Sequence, residues 1–154
     1  MNVRYRILSL GMVALSIAGS ARAQDGEQAV PCNELPASVM AAFAKAYPSA
    51  TIKECAKEVE GGKTSYEVAS MENNVGRDVL YDPEGTVIVV EETIAVSDMP
   101  MLVQQAFNKR FPKSEIVLTE KLMRGSSVNY EFQIKDKGEI KEIAFDASGN
   151  EVEP

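Results

Sequence analysis

A chain of 154 residues with 23 acidic and 16 basic side chains carries a formal net charge of −7, and it contains no histidine. The acidic balance excludes a nucleic-acid or anionic-membrane surface, since both need clustered Lys and Arg. The missing histidine excludes Ser-His-Asp and Cys-His nucleophilic sites and the H-E-x-x-H zinc motif.

The first element in chain order is an export signal. Arg4 and Arg6 give a positive start, Ile7 to Ala18 are apolar, and Ala21-Arg22-Ala23 is an A-x-A cleavage pattern. The apolar run is shorter than the roughly twenty residues that span a bilayer, and no second long run follows. Residues 1–23 are therefore expected to be removed. The mature chain then begins at Gln24, in the periplasm or secreted, with no membrane span. Cys32 lies too far beyond the apolar run to serve as a lipid anchor. Removal leaves 131 of the 154 residues, enough for one domain with a core, and takes three arginines, so the net charge falls to about −10.

Residues 24–30 are polar and are expected to form a flexible N-terminal segment. From residue 31 the chain repeats itself at a constant offset of 64, with thirteen identities between 31–90 and 95–154. Pro36, Val39, Phe43, Pro48, Gly61, Tyr66, Glu67, Asp82 and Gly85 recur as Pro100, Val103, Phe107, Pro112, Gly125, Tyr130, Glu131, Asp146 and Gly149. The repeats are assigned to 31–92 and 93–154.

Each copy opens with a helix. Val39, Phe43 and Tyr47, and in the second copy Val103, Phe107 and Phe111, fall at i, i+4 and i+8 and make one apolar stripe. Pro36 and Pro100 suit a first helical turn, and Pro48 and Pro112 end the helix because the residue before proline is pushed out of the α region. Strands follow at Ile52–Val59, Ser65–Met71 and Arg77–Tyr81, with counterparts at Ile116–Met123, Val128–Lys135 and Lys141–Phe145. The alternation from Val128 to Lys135 gives one buried and one wet face. Asp82-Pro83-Glu84-Gly85 and Asp146-Ala147-Ser148-Gly149 carry turn residues. Val87 to Val90 is a continuous apolar strand expected at the centre of the sheet, whereas its counterpart Glu151 to Pro154 is an acidic edge. The fold class is α+β: two tandem repeats of one helix plus four antiparallel strands, forming one roughly eight-stranded sheet with both helices on one face.

Cys32 and Cys55 both lie in the first copy, opposite Val96 and Thr119 in the second. In an oxidising compartment this even pair is expected to be a disulfide between the segment before the first helix and the first strand. Without histidine to complete a Cys site no metal is expected, and the spacing is not that of a redox C-x-x-C. Gly61-Gly62-Lys63-Thr64 ends like a phosphate loop, but Lys57 stands where its first glycine belongs and a strand follows instead of a helix. The Asp82 and Asp146 segments lack the alternating ligands and closing glutamate of an EF-hand. No catalytic residue and no cofactor is expected. Glu67 and Glu131 recur on the strand face away from the helix, where a carboxylate pair suits acid–base chemistry only in a dry pocket.

By alternation the open sheet face carries Lys53, Lys57, Glu67, Ala69, Met71, Asp78 and Leu80 from the first copy. The second adds Val117, Lys121, Asn129, Glu131, Gln133, Lys135, Glu142 and Ala144. The expected partner-binding face is Lys57, Glu67, Met71, Lys121, Glu131, Gln133 and Lys135.

Leu35-Pro36, Val39, Phe43, Tyr47-Pro48, Tyr66-Glu67-Val68 and Leu80-Tyr81-Asp82-x-x-Gly85 follow one another in an order that the second copy keeps with Met99-Pro100, Val103, Phe107, Phe111-Pro112, Tyr130-Glu131-Phe132 and Phe145-Asp146-x-x-Gly149. This order resembles the β-lactamase-inhibitor-like, PepSY-like family of exported bacterial proteins, once per repeat. The resemblance implies a helix on a four-stranded sheet per unit, with two units making a concave sheet. The better-known relatives inhibit β-lactamases, and PepSY domains are proposed to restrain peptidases. The chain departs from those inhibitors, whose halves each carry a disulfide, because its second half has no cysteine. The expected function is that of an exported, non-catalytic binding module with a protein or peptide partner in the cell envelope, an inhibitor or regulator of a peptidase or β-lactamase. The alternatives are a small-ligand or structural envelope protein and, behind them, a carboxylate-based hydrolase.

Overall fold

Proline, aromatic and glycine spacing translate directly into the elements of the computed structural model, which describes residues 26–136 and 138–153. The expected signal sequence and its cleavage site after Ala23 lie outside the described residues. In chain order the elements are β1 (Gly26–Ala29), α1 (Ala37–Ala46), β2 (Thr51–Glu60), β3 (Lys63–Glu72), β4 (Val75–Tyr81), β5 (Val87–Thr93), α2 (Met101–Arg110), β6 (Glu115–Arg124), β7 (Ser127–Asp136), β8 (Glu139–Asp146) and β9 (Glu151–Val152).

The described strands form one antiparallel meander of nine strands in sequence order. The expected α+β class and the tandem architecture hold. The ninth strand is β1, and it corrects the expected flexible segment. Gly26–Ala29 pairs with Ala56–Val59 of β2, satisfying backbone groups that would otherwise stand open along a sheet edge. The expected repeat border at 92/93 falls inside β5, which hydrogen-bonds to β4 on one side and β6 on the other, so the sheet is continuous across it.

The helices start one residue after Pro36 and Pro100, which act as N-caps rather than first-turn residues. Each ends where Tyr47 or Phe111 donates its N–H to the carbonyl of Phe43 or Phe107. Val39 and Phe43 of α1 pack with Cys55, Val68, Val79, Tyr81 and Val90, and Val103 and Phe107 of α2 pack with Phe132, Ile134, Ile143 and Phe145. Directly paired residues on neighbouring strands share a face. Cys55, Val68, Val79, Val90 and Met123 make one such row, so both helices cover the same side of the sheet. The turns after β4 and β8 press on the helix starts. A Cβ at Gly85 would stand 2.6 Å from the Ser38 carbonyl oxygen, and one at Gly149 would stand 2.6 Å from that of Leu102.

Cys32 and Cys55 form the expected disulfide, with Cα atoms 5.2 Å apart. In the second repeat the same junction is held without sulfur. The Thr119 hydroxyl donates to the Ile94 carbonyl, and Ile94 N–H donates to the Thr119 carbonyl as Val30 N–H does to that of Cys55. Replacing Cys32 and Cys55 together by alanine should cost about 3 kcal/mol through the freed unfolded chain, read as a lower melting temperature. An unchanged melting temperature would show that pairing of β1 suffices to hold this segment.

Candidate functional site

Position along the strands decides which side chains reach the uncovered face, and two bulges reset that position. The register of β2 against β3 shifts between Ile52 and Glu54, and that of β6 against β7 shifts between Ile116 and Leu118. An extra residue in a strand reverses the facing of everything beyond it. Lys57 therefore pairs with Tyr66 and Lys121 with Tyr130, both on the helix side. This corrects the expected placement of Lys57 and Lys121 on the open face. Glu67, Met71, Glu131, Gln133 and Lys135 do lie there, as do Asp78, Leu80 and Glu142.

In place of the two lysines the bulges bring Glu54, Glu58 and Glu120 onto the open face, and β5 adds Glu91. The carboxylates crowd toward the middle of the sheet. Asp78 stands directly opposite Glu91, Glu120 stands directly opposite Glu131, and Glu91 lies diagonal to Glu120 across the β5–β6 ladder. Glu67 sits diagonal to Asp78. Oxygen atoms of Asp78, Glu91 and Glu120 all lie within 4.8 Å of one another. Leu80, Val89, Leu122 and Ala144 on the same face are buried. Both described helices lie on the other side of the sheet.

Charge is handled differently on the two faces. On the helix side Arg77 donates to Glu92 at 2.8 Å and to Glu72 at 3.2 Å, and its guanidinium lies 4.2 Å from the centroid of the Tyr47 ring. On the open face Glu67, Asp78, Glu91, Glu120 and Glu131 have no ion pair and no hydrogen bond among the described residues. The cations of that face, Lys63, Arg124 and Lys135, stand at its turns and ends. Burial without a counter-charge favours the protonated form. Desolvation, reinforced by Glu120, Glu131, Glu67 and Asp78, pushes Glu91 up to about 9. Desolvation, with Asp78 and Glu27 adding to it, takes Glu67 to about 8. Burial takes Glu120 and Glu131 each to about 7, and it raises Asp78 as well. Such a face attracts cations, accepts hydrogen bonds when ionised and holds protons near neutral pH. A hydroxyl stands beside these carboxyl groups, that of Ser65, which donates to Glu58.

Strict alternation missed Glu91 and Glu120. Extending the 64-residue offset back past residue 31 aligns Glu27 with Glu91, and the structure places both at matching points, opposite Glu58 of β2 and Leu122 of β6. That offset was the available signal for β1 and for Glu91. Nothing in the local pattern marks the bulges at Lys53 and Val117.

The model of a family described as "putative beta-lactamase-inhibitor-like, PepSY-like" matches residues 23–89 and again 74–152. Solved structures share the fold. A Bacteroides eggerthii protein named as a "putative periplasmic" protein superposes with a TM-score of 0.67 at 18% identity, covering 77% of this chain and 86% of its own. A DUF2874 family protein of Bacteroides uniformis gives 0.65 at 16% identity, covering 77% and 86%. A BLIP-like protein of Bacteroides fragilis gives 0.61 at 18%, covering 77% and 84%. No curated protein matches the chain.

Proposed function

We propose, since this chain belongs to the β-lactamase-inhibitor-like, PepSY-like family, that it is a non-catalytic binding module of the cell envelope whose open sheet face takes a basic protein or peptide partner. The observation that carries this reading is the row of carboxylates from Glu67 to Glu131, unpaired among the described residues, on a face that neither described helix covers. Lys or Arg of a partner would supply the missing counter-charges, steering encounter and fixing register. An envelope location is supported by the export signal expected over residues 1–23 and by the periplasmic naming of a structural neighbour. Inhibition of a peptidase or β-lactamase is the form of binding that the family suggests. Hydrolysis by Glu131 would need a positioned water and a partner acid in a closed pocket, and the open face favours docking instead.

Affinity capture from the native envelope fraction tests this, with the wild-type chain and a Glu67→Lys/Glu131→Lys variant as baits. A protein captured in stoichiometric amount by the wild type and lost by the variant, with both baits folded by circular dichroism, is the expected result. Capture that is equal for both baits would show that this face is not the site.

A further inference from the structure

We propose that Asp78, Glu91 and Glu120 form a binding site for a hard divalent cation, Ca2+ by its dimensions, at the junction of the two repeats on the open sheet face. The site is independent of whether a protein docks there. Three neighbouring strands each contribute one ligand: β4 from the first repeat, β5 from the junction and β6 from the second repeat. Their oxygens lie within 4.8 Å of one another. Oxygens bound to one Ca2+ at about 2.3–2.6 Å can be at most about 5 Å apart, so a small movement closes the shell.

Acidic groups gather on many surfaces without binding anything, and a second feature separates this cluster from those. Glu91 is only 7% exposed and Glu120 is 9% exposed, and among the described residues neither side chain has a hydrogen bond or ion pair. A buried carboxylate with no partner is costly in a folded protein. One Glu91 carboxylate oxygen lies within 4.8 Å of one oxygen each of Asp78 and Glu120. A bound cation would supply what each of the three lacks. Ligand type sets the metal class. The chain has no histidine and its two cysteines are joined, so an all-oxygen site suits Ca2+ better than Zn2+ or Cu2+. Three carboxylates leave room for water in a six- to eight-oxygen shell, the composition of weaker extracellular Ca2+ sites with Kd of about 10⁻⁴ to 10⁻³ M.

Protons compete for the same oxygens. In the metal-free protein the cluster faces Glu67 from β3, Glu131 from β7 and Glu142 from β8, with Glu54 and Glu58 of β2 and Glu27 of β1 beyond, all on the open face. Each carboxyl that is protonated in the free protein releases its proton to solvent as it takes the cation, so affinity rises with pH.

Isothermal titration of CaCl2 into the purified full protein, stripped with chelator and desalted, reads this directly. At pH 8 one saturable site is expected, with proton release revealed by buffers of different ionisation heat; at pH 5.5 it is weaker by about tenfold or more. Glu91→Gln abolishes saturable binding, while Glu84→Gln, in an exposed turn, leaves it intact. Because Glu91→Gln puts a neutral side chain of the same size where burial already favours the protonated carboxyl, it melts no lower than wild type at pH 8 without metal, which separates loss of the site from loss of the fold. No saturable heat with wild type at millimolar Ca2+ would overturn the proposal. So would an equal response from the wild type and Glu91→Gln, since that is diffuse counter-ion attraction.

Discussion

Raising the pH from about 5 to 9 in the absence of divalent metal is expected to destabilise this protein by on the order of 5 kcal/mol. The sign follows from the direction of the shifts. Glu67, Glu91, Glu120 and Glu131 titrate in the folded protein at about 8, 9, 7 and 7, whereas an unstrained glutamate titrates near 4.5. Between those values the folded state holds protons that the unfolded state has already lost. Stability is therefore complete below about pH 4.5, declines as the pH rises, and is lowest above the folded values. The four groups repel one another and relax together, so the total is well below the sum of four separate shifts. Thermal melts followed by circular dichroism at one-unit pH intervals check this. A melting temperature that stays flat or rises through this window would mean the carboxylates are ionised with counter-charges in place. The same melts with Glu91→Gln should show a shallower decline, because the most strongly shifted group has been removed.

Phe132→Ala is expected to cost about 3–5 kcal/mol. Phe132 is fully buried, stacked on Phe107 with ring centroids 3.9 Å apart and meeting Phe145 edge-on at 5.9 Å. Aromatic pairs add about 0.5–1.5 kcal/mol beyond the area they bury. In the first repeat the equivalent position is Val68, also fully buried, in a core that has the Cys32–Cys55 bond beside it. Val68→Ala should cost less, since fewer atoms leave. Urea unfolding of both variants decides it, and a loss at Phe132 no larger than at Val68 would show that the aromatic stack does not compensate for the missing second disulfide. Because β5 joins the halves into one sheet, both variants should shift a single transition rather than split it.

Much of the architecture was legible in the residues because repetition removed the ambiguity of each single signal. Val39, Phe43 and Tyr47 alone are a short apolar stripe; found again as Val103, Phe107 and Phe111 between matching prolines, they define two helices. The even cysteine pair, the Asp-to-Gly turns and the apolar run of β5 could each be assigned from chemistry that acts over a few residues, namely proline geometry, positive φ and side-chain period. Facing was another matter. Whether Lys57 or Glu58 points to the open side depends on one extra residue near Lys53, and the same holds for Lys121 and Glu120 after Val117. A bulge forms where the curling sheet must bend to keep Ile52 and Cys55 both under the helix, which is a property of the packed sheet and leaves no mark in local propensity. Pairing of Gly26–Ala29 likewise needs the finished edge of β2 to exist. The sequence by itself determined the duplicated helix-and-strand order, the disulfide and the central place of β5. Only the tertiary structure turned a face that strict alternation makes mixed in charge into an acidic one, because curvature, bulges and burial act on strands far apart in the chain.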